Sequence, residues 1–221
     1  MEAWSFDGEA VAKGFDSHIR SHLPWYDMMH DMVIHLVRNY ITDNTNVVDF
    51  GASTGNLVDK LLILAETRDL GVIAVEKSFA MQSHMENRFG NLVDNDLLTI
   101  TRNMFDIQTE KTDVFIACMT LSFINPSERE KIIDHMYKHA KRAVIIVDKV
   151  GDYQGYLSAV MRRMTIQMKL NAGVEPEEAL LKEMSLSGVQ VPLDPRTLGR
   201  GAKEFFRMGE FAGWIIEKDC I

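Results

Sequence analysis

Residues 47–55 bring a carboxylate and two glycines together, and these residue types could hold a ligand through side chain and backbone. The apolar residues before Asp49 predict a parallel strand that is covered on both faces. Gly51 and Gly55 predict a tight turn whose backbone amides approach a ligand, and a helix is predicted from Asn56. Free amides at such a helix start favour an electronegative group.

A second carboxylate, Glu76, follows another apolar run at residues 72–75 and stands about 20 positions after the glycine turn. At this spacing an acid can accept hydrogen bonds from both hydroxyls of a ribose. Because the carboxyl ends of parallel strands meet at one edge of a sheet, the turn and Glu76 together predict a nucleoside-binding site there. A solvated strand end is the alternative for Glu76.

Length and composition predict one globular domain with a substantial core. The chain has 221 residues, of which 46% are hydrophobic and 25% charged. Its net charge of -8 disfavours broad electrostatic capture of nucleic acid. Cys118 and Cys220 are too few for a disulfide framework. With neither a signal-peptide pattern nor an apolar run of the ~20 residues that a membrane span needs, a cytoplasmic location is expected.

The apolar periodicity predicts a strand–helix alternation that is repeated five times, which requires a parallel sheet with helices on both faces. The predicted strands end near Phe50, Glu76, Thr101, Cys118 and Val147, and the predicted helices cover Tyr26–Tyr40 and begin near Asn56, Ser78 and Pro126. A single domain over residues 1–221 is expected. Its parts are a helical cover (1–45), a ligand-binding half (46–150) and a C-terminal region (151–221).

The C-terminal region breaks the alternation. Helices are predicted over residues 153–170 and from Pro176, and residues 204–208 and 212–218 predict a hairpin that ends the sheet. A dinucleotide-dependent dehydrogenase would need a second set of parallel strands instead. The pattern therefore disfavours NAD as the ligand.

The glycine turn and the second strand resemble the motifs of a known family. Residues 49–55 (Asp-Phe-Gly-Ala-Ser-Thr-Gly) and 74–78 (Ala-Val-Glu-Lys-Ser) are similar to the first two motifs of class I S-adenosylmethionine-dependent methyltransferases. The resemblance implies an α/β fold with a Rossmann-like, seven-stranded, doubly wound sheet, an N-terminal helical cover and a C-terminal antiparallel hairpin. It also implies that the turn holds the methionine part of the cofactor and that Glu76 holds the ribose.

Residues 12–150 also resemble one branch of this family, the carboxy-S-adenosylmethionine synthases of tRNA wobble-uridine modification. The matching residues are Phe15, Ile19, Pro24 and Tyr26, the turn at 49–55 with its serine, and residues 120–129 (Thr-Leu-Ser-Phe-Ile-Asn-Pro-Ser-Glu-Arg).

The chain departs from this branch at three positions. The branch has an asparagine where this chain has Cys118, and an aspartate where it has Asn103. The arginine that recognises a carboxyl group in the branch is missing near Lys182, and a lysine lacks the planar bidentate geometry of arginine. The resemblance therefore implies the cofactor pocket and leaves the carboxylated cofactor as an alternative.

The same resemblance implies a set of cofactor-binding residues. They are Tyr26, Asp49, Gly51, Ala52, Ser53, Gly55, Glu76, Lys77, Asn103, Met104, Cys118 and Met119. Asp49 would approach the methionine amino group, and Asn103 and Met104 would flank the adenine. Cys118 and Met119 would supply backbone, and the Cys118 side chain is best interpreted as a small buried hydrophobe.

By analogy with the fold, the helix over residues 153–170 and the segment 170–200 are expected to form an acceptor pocket. Tyr153, Tyr156 and a stripe made of Leu157, Val160, Met161, Met164 and Met168 would give it a partly apolar wall. Arg162, Arg163 and Lys169 form a small basic group that either meets an acidic substrate group or faces solvent.

Two histidine pairs have residue types that could do chemistry. His18 and His22 lie in the cover and could face a substrate, but neither is assigned as a base. His135 and His139 have the spacing of metal ligands on a helix, but no third ligand is recognisable, so a solvated face is favoured and no metal site is predicted. Methyl transfer depends mainly on positioning, so no catalytic residue is assigned.

These patterns predict a methyltransferase that uses S-adenosylmethionine, releases S-adenosylhomocysteine and acts on an unidentified small-molecule or macromolecular acceptor. The first alternative is an enzyme like the carboxy-S-adenosylmethionine synthases, acting in tRNA modification. The second is a non-catalytic protein that binds the cofactor and grips a partner. Binding to a membrane or to bulk nucleic acid is not expected, and a homodimer is compatible with the sequence.

Overall fold

The computed structural model describes residues 5–93, 95, 97–151, 155–199 and 201–218. Its helices are α1 (Glu9–His22), α2 (Tyr26–Tyr40), α3 (Asn56–Ala65), α4 (Phe79–Val93), α5 (Pro126–His139), α6 (Gly155–Asn171) and α7 (Pro176–Ser185). Its strands are β1 (Thr45–Phe50), β2 (Leu70–Val75), β3 (Leu98–Thr101), β4 (Thr112–Cys118), β5 (Ala143–Lys149), β6 (Lys203–Met208) and β7 (Phe211–Glu217). Within these residues, no helix is long and apolar enough to cross a membrane.

The strands form one seven-stranded sheet in the order β3-β2-β1-β4-β5-β7-β6. β1 to β5 are parallel, because the chain returns through a crossover connection before each new strand. β7 runs antiparallel to both β5 and β6, so the predicted hairpin does end the sheet. The predicted seven-stranded α/β fold is confirmed.

Helices cover both faces of the sheet, which explains the apolar runs in its strands. Every residue of β5 is buried. On one face, α2, α3 and α4 contribute Met29, Leu61 and Met85 to the core. On the other face, α5 contributes Ile133 and Met136. With both faces covered, the carboxyl ends of the parallel strands become the natural place for a site.

The cover helix α1 is anchored on the glycine turn by the carboxylate of Asp16. The Thr54 hydroxyl donates to Asp16 Oδ1 at 2.5 Å, and the Asn56 side-chain amide donates to the same oxygen at 2.9 Å. Arg88 on α4 lies 3.9 Å from the other carboxylate oxygen. One acidic side chain therefore joins the cover to the turn and to the helix that follows β2.

The C-terminal region contains the helix that was predicted from Pro176 and the predicted hairpin. The helix predicted from residue 153 is observed from Gly155, and Tyr153 lies outside the described residues. Arg129 on α5 donates to the carbonyls of Val191 and Pro192 at 2.6 and 3.2 Å. The loop after α7 is thereby held against the end of the sheet.

Gly51 and Gly55 are required by the packing of the protein itself. Both have left-handed backbone, with φ of +84° and +85°. A Cβ atom on Gly51 would overlap the Thr120 side chain, and one on Gly55 would lie 2.6 Å from the Phe89 ring. A larger residue is therefore opposed both by the backbone conformation and by the space available.

We expect Gly55→Ala to destabilise the protein more than Gly173→Ala. Gly173 has a similar φ of +89° but open space where its Cβ would lie, so it measures the backbone cost alone. That cost is about 1–2 kcal/mol, and the overlap with Phe89 should add about 1–3 kcal/mol. Urea unfolding of both variants gives the difference. Equal losses would contradict the packing role of Gly55.

Candidate active site

A cavity of about 380 Å³ opens at the carboxyl ends of the parallel strands, with α1 and the start of α2 contributing to its wall. All but one of the residues predicted to bind a cofactor line it: Tyr26, Asp49, Gly51, Ala52, Ser53, Glu76, Lys77, Asn103, Met104, Cys118 and Met119. Their segments are far apart in the sequence and meet only because parallel strands end at the same edge. Their contact with a cofactor stays a prediction.

The backbone amides of the glycine turn donate hydrogen bonds within the protein, whereas they were expected to face a ligand. The amides of Gly51 and Ala52 donate to the Val75 carbonyl at 2.8 and 3.1 Å, and the Gly55 amide donates to the Ala52 carbonyl at 2.9 Å. Gly55 is also absent from the lining of the cavity. The expectation that these amides approach a ligand is wrong, because β2 and the turn itself occupy them.

A buried carboxyl group, Asp49, and a partly buried one, Glu76, face the cavity. Glu76 accepts hydrogen bonds from the amides of Ser53 and Ser78, each at 2.8 Å, and burial nevertheless raises its pKa. Asp49 is 2% exposed, and burial together with the nearby Glu76 raises its pKa to about 7. A cationic ligand would stabilise both carboxylates, so this end of the cavity suits a positively charged group.

Tyr26 and Cys118 belong to the less polar part of the wall. Burial raises the pKa of the Tyr26 phenol. Burial and the neighbouring Asp49 raise the pKa of the Cys118 thiol well above its usual range, and its Sγ lies 4.0 Å from Met29 Sδ. A thiol whose thiolate is disfavoured is a poor nucleophile. The environment agrees with the interpretation of Cys118 as a small hydrophobe.

Asn103 and Met104 follow β3, the strand next to the one that ends before Glu76. The Asn103 side chain accepts the Phe105 amide at 3.1 Å and so begins a short 3-10 turn. Met104 is 2% exposed and lies in the cavity wall. A polar side chain next to an apolar one suits a flat ring with polar edges, such as adenine.

Three lysines and a glutamate line the side of the cavity formed by β5, α6 and α7. Lys149 and Lys169 bind the two carboxylate oxygens of Glu183 at 3.3 and 2.8 Å. Burial alone would raise the pKa of Glu183, but the two lysines hold it at about 2. Burial and the charge of Lys169 lower the pKa of Lys182 to about 8. Three ammonium groups against one carboxylate suit an anionic ligand.

Solved structures of methyltransferases are among those that share this fold. One is a protein of Methanococcus maripaludis assigned to the S-adenosyl-L-methionine-dependent methyltransferases, with a TM-score of 0.58, 17% identity and coverage of 100% of this chain and 99% of the other. The second is magnesium protoporphyrin IX methyltransferase from Synechocystis PCC 6803 with bound SAH, with a TM-score of 0.57, 16% identity and coverage of 88% and 83%. At these identities the likeness shows the fold.

A curated relative shows the family. The chain is 30% identical to the carboxy-S-adenosyl-L-methionine synthase of Staphylococcus epidermidis strain RP62A, over 97% of each chain. The chain belongs to the carboxy-S-adenosyl-L-methionine synthase family. No family model matches the sequence. The resemblance seen in residues 12–150 is confirmed and extends over nearly the whole chain.

The three cavity lysines, Lys149, Lys169 and Lys182, are called the lysine group below. They lie on the side of the cavity where a member of the carboxy-S-adenosyl-L-methionine synthase family is expected to place an arginine. The missing arginine was expected near Lys182, and Lys182 does line the cavity. Lys149 was not recognised in the sequence, although a charged residue at the end of a predicted parallel strand was an available signal. Lys169 was grouped with Arg162 and Arg163, but it is 5% exposed whereas both arginines face solvent.

The apolar stripe of α6 is not the pocket wall that the fold analogy suggested. Leu157, Val160 and Met164 are exposed, and Tyr156 is 77% exposed. None of these residues lines the cavity, whereas the buried Lys169 on the opposite side of the helix does. The expectation is wrong for this stripe, because periodicity identifies an apolar face without identifying what that face meets. The 170–200 segment, by contrast, does contribute residues to the cavity lining.

The two histidine pairs differ in their surroundings. His18 and His22 both line the cavity, as expected for residues that face a substrate. Burial and the neighbouring His22 lower the pKa of His18 to about 4, and burial lowers the pKa of His22 despite its bond to Glu178. His139 instead pairs with Thr109 at 2.8 Å, and neither His139 nor His135 is part of the cavity lining.

We expect Asp49→Asn to stabilise the ligand-free protein at high pH. Because folding raises the pKa of Asp49, the stability that its protonated form contributes is complete below about pH 4 and is lost as the pH rises through about 7. The variant should match the wild type near pH 4 and exceed it by on the order of 4 kcal/mol at pH 8. Urea unfolding at both pH values measures this, with the exposed Asp69→Asn as control. A loss of stability at pH 8 would contradict the raised pKa.

Proposed function

We propose that this chain is a carboxy-S-adenosyl-L-methionine synthase that converts the sulfonium-bound methyl group of S-adenosylmethionine into a carboxymethyl group. The observation that carries the proposal is the separation of charge inside one cavity. The carboxyl groups of Asp49 and Glu76 suit a cation, and the lysines of β5, α6 and α7 suit an anion. The 30% identity to a synthase of this name supports the proposal.

The donor set at the carboxyl end of β1 and β2 fits S-adenosylmethionine. The cofactor supplies a methyl group on a positively charged sulfur, together with an ammonium group and a ribose diol. Glu76 retains lone pairs beyond those used by Ser53 and Ser78 and would accept the ribose hydroxyls. Asp49 would pair with the ammonium group, and Asn103 with Met104 would hold the adenine.

The lysine group would supply the carboxylate-binding part of the site. Replacing a methyl hydrogen by a carboxyl group needs a small molecule that gives up its carboxyl group. The exchange balances when this donor keeps the electron pair of its broken bond and takes up the proton that the methyl group loses. Lys149, Lys169 and Lys182 would orient the donor carboxylate as point charges, which replaces the bidentate arginine expected in this family.

Methyl transfer to an unidentified acceptor is the second candidate, and the position of Glu183 favours it. Its carboxylate already pairs with Lys149 and Lys169, so less positive charge is left for a carboxylate substrate. Methyl transfer requires mainly positioning and no anion-binding group. The two candidates predict different products from the same cofactor.

Mass spectrometry distinguishes these functions. The protein is incubated with S-adenosylmethionine that carries a carbon-13 methyl group and with the small-molecule fraction of a cell extract. We expect a labelled cofactor that is heavier by the mass of CO₂. The label on another molecule, with release of S-adenosylhomocysteine, would favour methyl transfer. Bound cofactor without either product would favour the non-catalytic role.

Glu76→Ala should weaken S-adenosylmethionine binding by about 1–3 kcal/mol, because charged hydrogen bonds to the ribose are lost. Titration calorimetry measures the affinity, and thermal unfolding shows whether the turn has kept its structure. The exposed Glu86→Ala on α4 is the control and should bind normally. Unchanged affinity in the Glu76 variant would exclude the ribose assignment.

Lys182→Met should reduce formation of the carboxylated product by about 10- to 100-fold, because one charged contact to the donor carboxylate is lost. Affinity for S-adenosylmethionine should stay the same, and Lys182→Arg should restore part of the activity. The exposed Lys138→Met serves as control. Full activity in Lys182→Met would remove this residue from the carboxylate site.

A further inference from the structure

A second cluster of potential ligands lies where α1 meets α7. His18 and His22 are four residues apart, so their rings lie on one face of α1 with centroids 4.2 Å apart. Glu178, in the first turn of α7, has its Oε1 3.1 Å from Nε2 of His22. One ligand atom from each of the three residues lies within 4.8 Å of the other two.

We propose that His18, His22 and Glu178 bind one divalent transition-metal ion, with Zn²⁺ as the best match. Zinc is commonly held by imidazole nitrogens and carboxylate oxygens at about 2.0–2.2 Å, and three protein ligands leave one tetrahedral position for water. Bonds of this length require the ligand atoms to move closer together than 4.8 Å. The side chain of Glu178 is 55% exposed, so it can make this movement.

The charges around the cluster are compatible with a cation. His18 and Glu178 also line a shallow cavity between the two helices, together with Glu175, Glu177 and Lys182. The ammonium groups of Lys182 and Lys169 act on both imidazoles and oppose a metal ion. The carboxylates of Glu175 and Glu177 offset this repulsion, and Lys169 is itself paired with Glu183.

A metal ion at this position would fasten the cover to the part of the chain that carries the lysine group. His18 and His22 belong to α1, which is anchored on the glycine turn through Asp16, and Glu178 belongs to α7. Both histidines also line the main cavity, so the ion would lie at its wall. The inference concerns a separate ligand set and does not depend on the reaction proposed above.

Titration of the whole chain with Zn²⁺ tests the proposal. We expect one ion per wild-type chain, and His18→Asn and Glu178→Gln should each weaken binding at least about 10-fold. Co²⁺ should give visible absorption bands with the wild type and lose them with both variants. Glu178 is exposed, so its substitution tests the site without disturbing the core.

Two matched controls should bind Zn²⁺ like the wild type. His135→Asn alters a histidine pair that has the same helical spacing, and Glu130→Gln alters an exposed acid on the same helix, α5. The proposal is overturned if the wild type binds no Zn²⁺, if both ligand variants keep full affinity, or if the controls lose it. Because these titrations contain no S-adenosylmethionine, their failure is distinct from failure of the proposed synthase activity.

Discussion

The hydrogen bonding of the partly buried Glu76 carboxylate is the interaction on which the rest of the site depends. The carboxylate accepts one amide from Ser53 in the turn after β1 and another from Ser78 before α4. A carboxylate taken out of water must be surrounded by donors, so these segments are required to converge at the end of β2. The group that fixes the shape of the turn is therefore also a group that faces the cavity.

The cavity as a whole is organised by charge. Asp49 and Glu76 make one end receptive to a cation, and the lysines around Glu183 make another side receptive to an anion. Burial strengthens both effects, because charges interact more strongly where water is excluded. A ligand that carries a positive and a negative group, or two ligands of opposite charge, would satisfy both ends at once.

Two interpretations failed because a local pattern does not specify its partner. The glycine turn correctly indicated an edge of the sheet, but the register of β1 against β2 directs the amides of Gly51 and Ala52 to the Val75 carbonyl. The stripe on α6 is apolar as predicted, yet most of it is exposed, and the fully buried residues of α6 are Thr165 and Lys169 on its other side. In both cases the missing information was the position of a neighbouring element.

The sequence by itself determined the alternation of strands and helices, the terminal hairpin, and the placing of Asp49 and Glu76 at strand ends. Apolar runs, glycines and helix caps encode these features locally, because each reflects burial or backbone conformation within a short segment. Only the tertiary structure decided that Lys149, Lys169 and Lys182 share one cavity wall, and that Glu178 meets His22 across 156 residues of chain. Charged side chains from different elements have no common period, so only the packing of those elements brings them together.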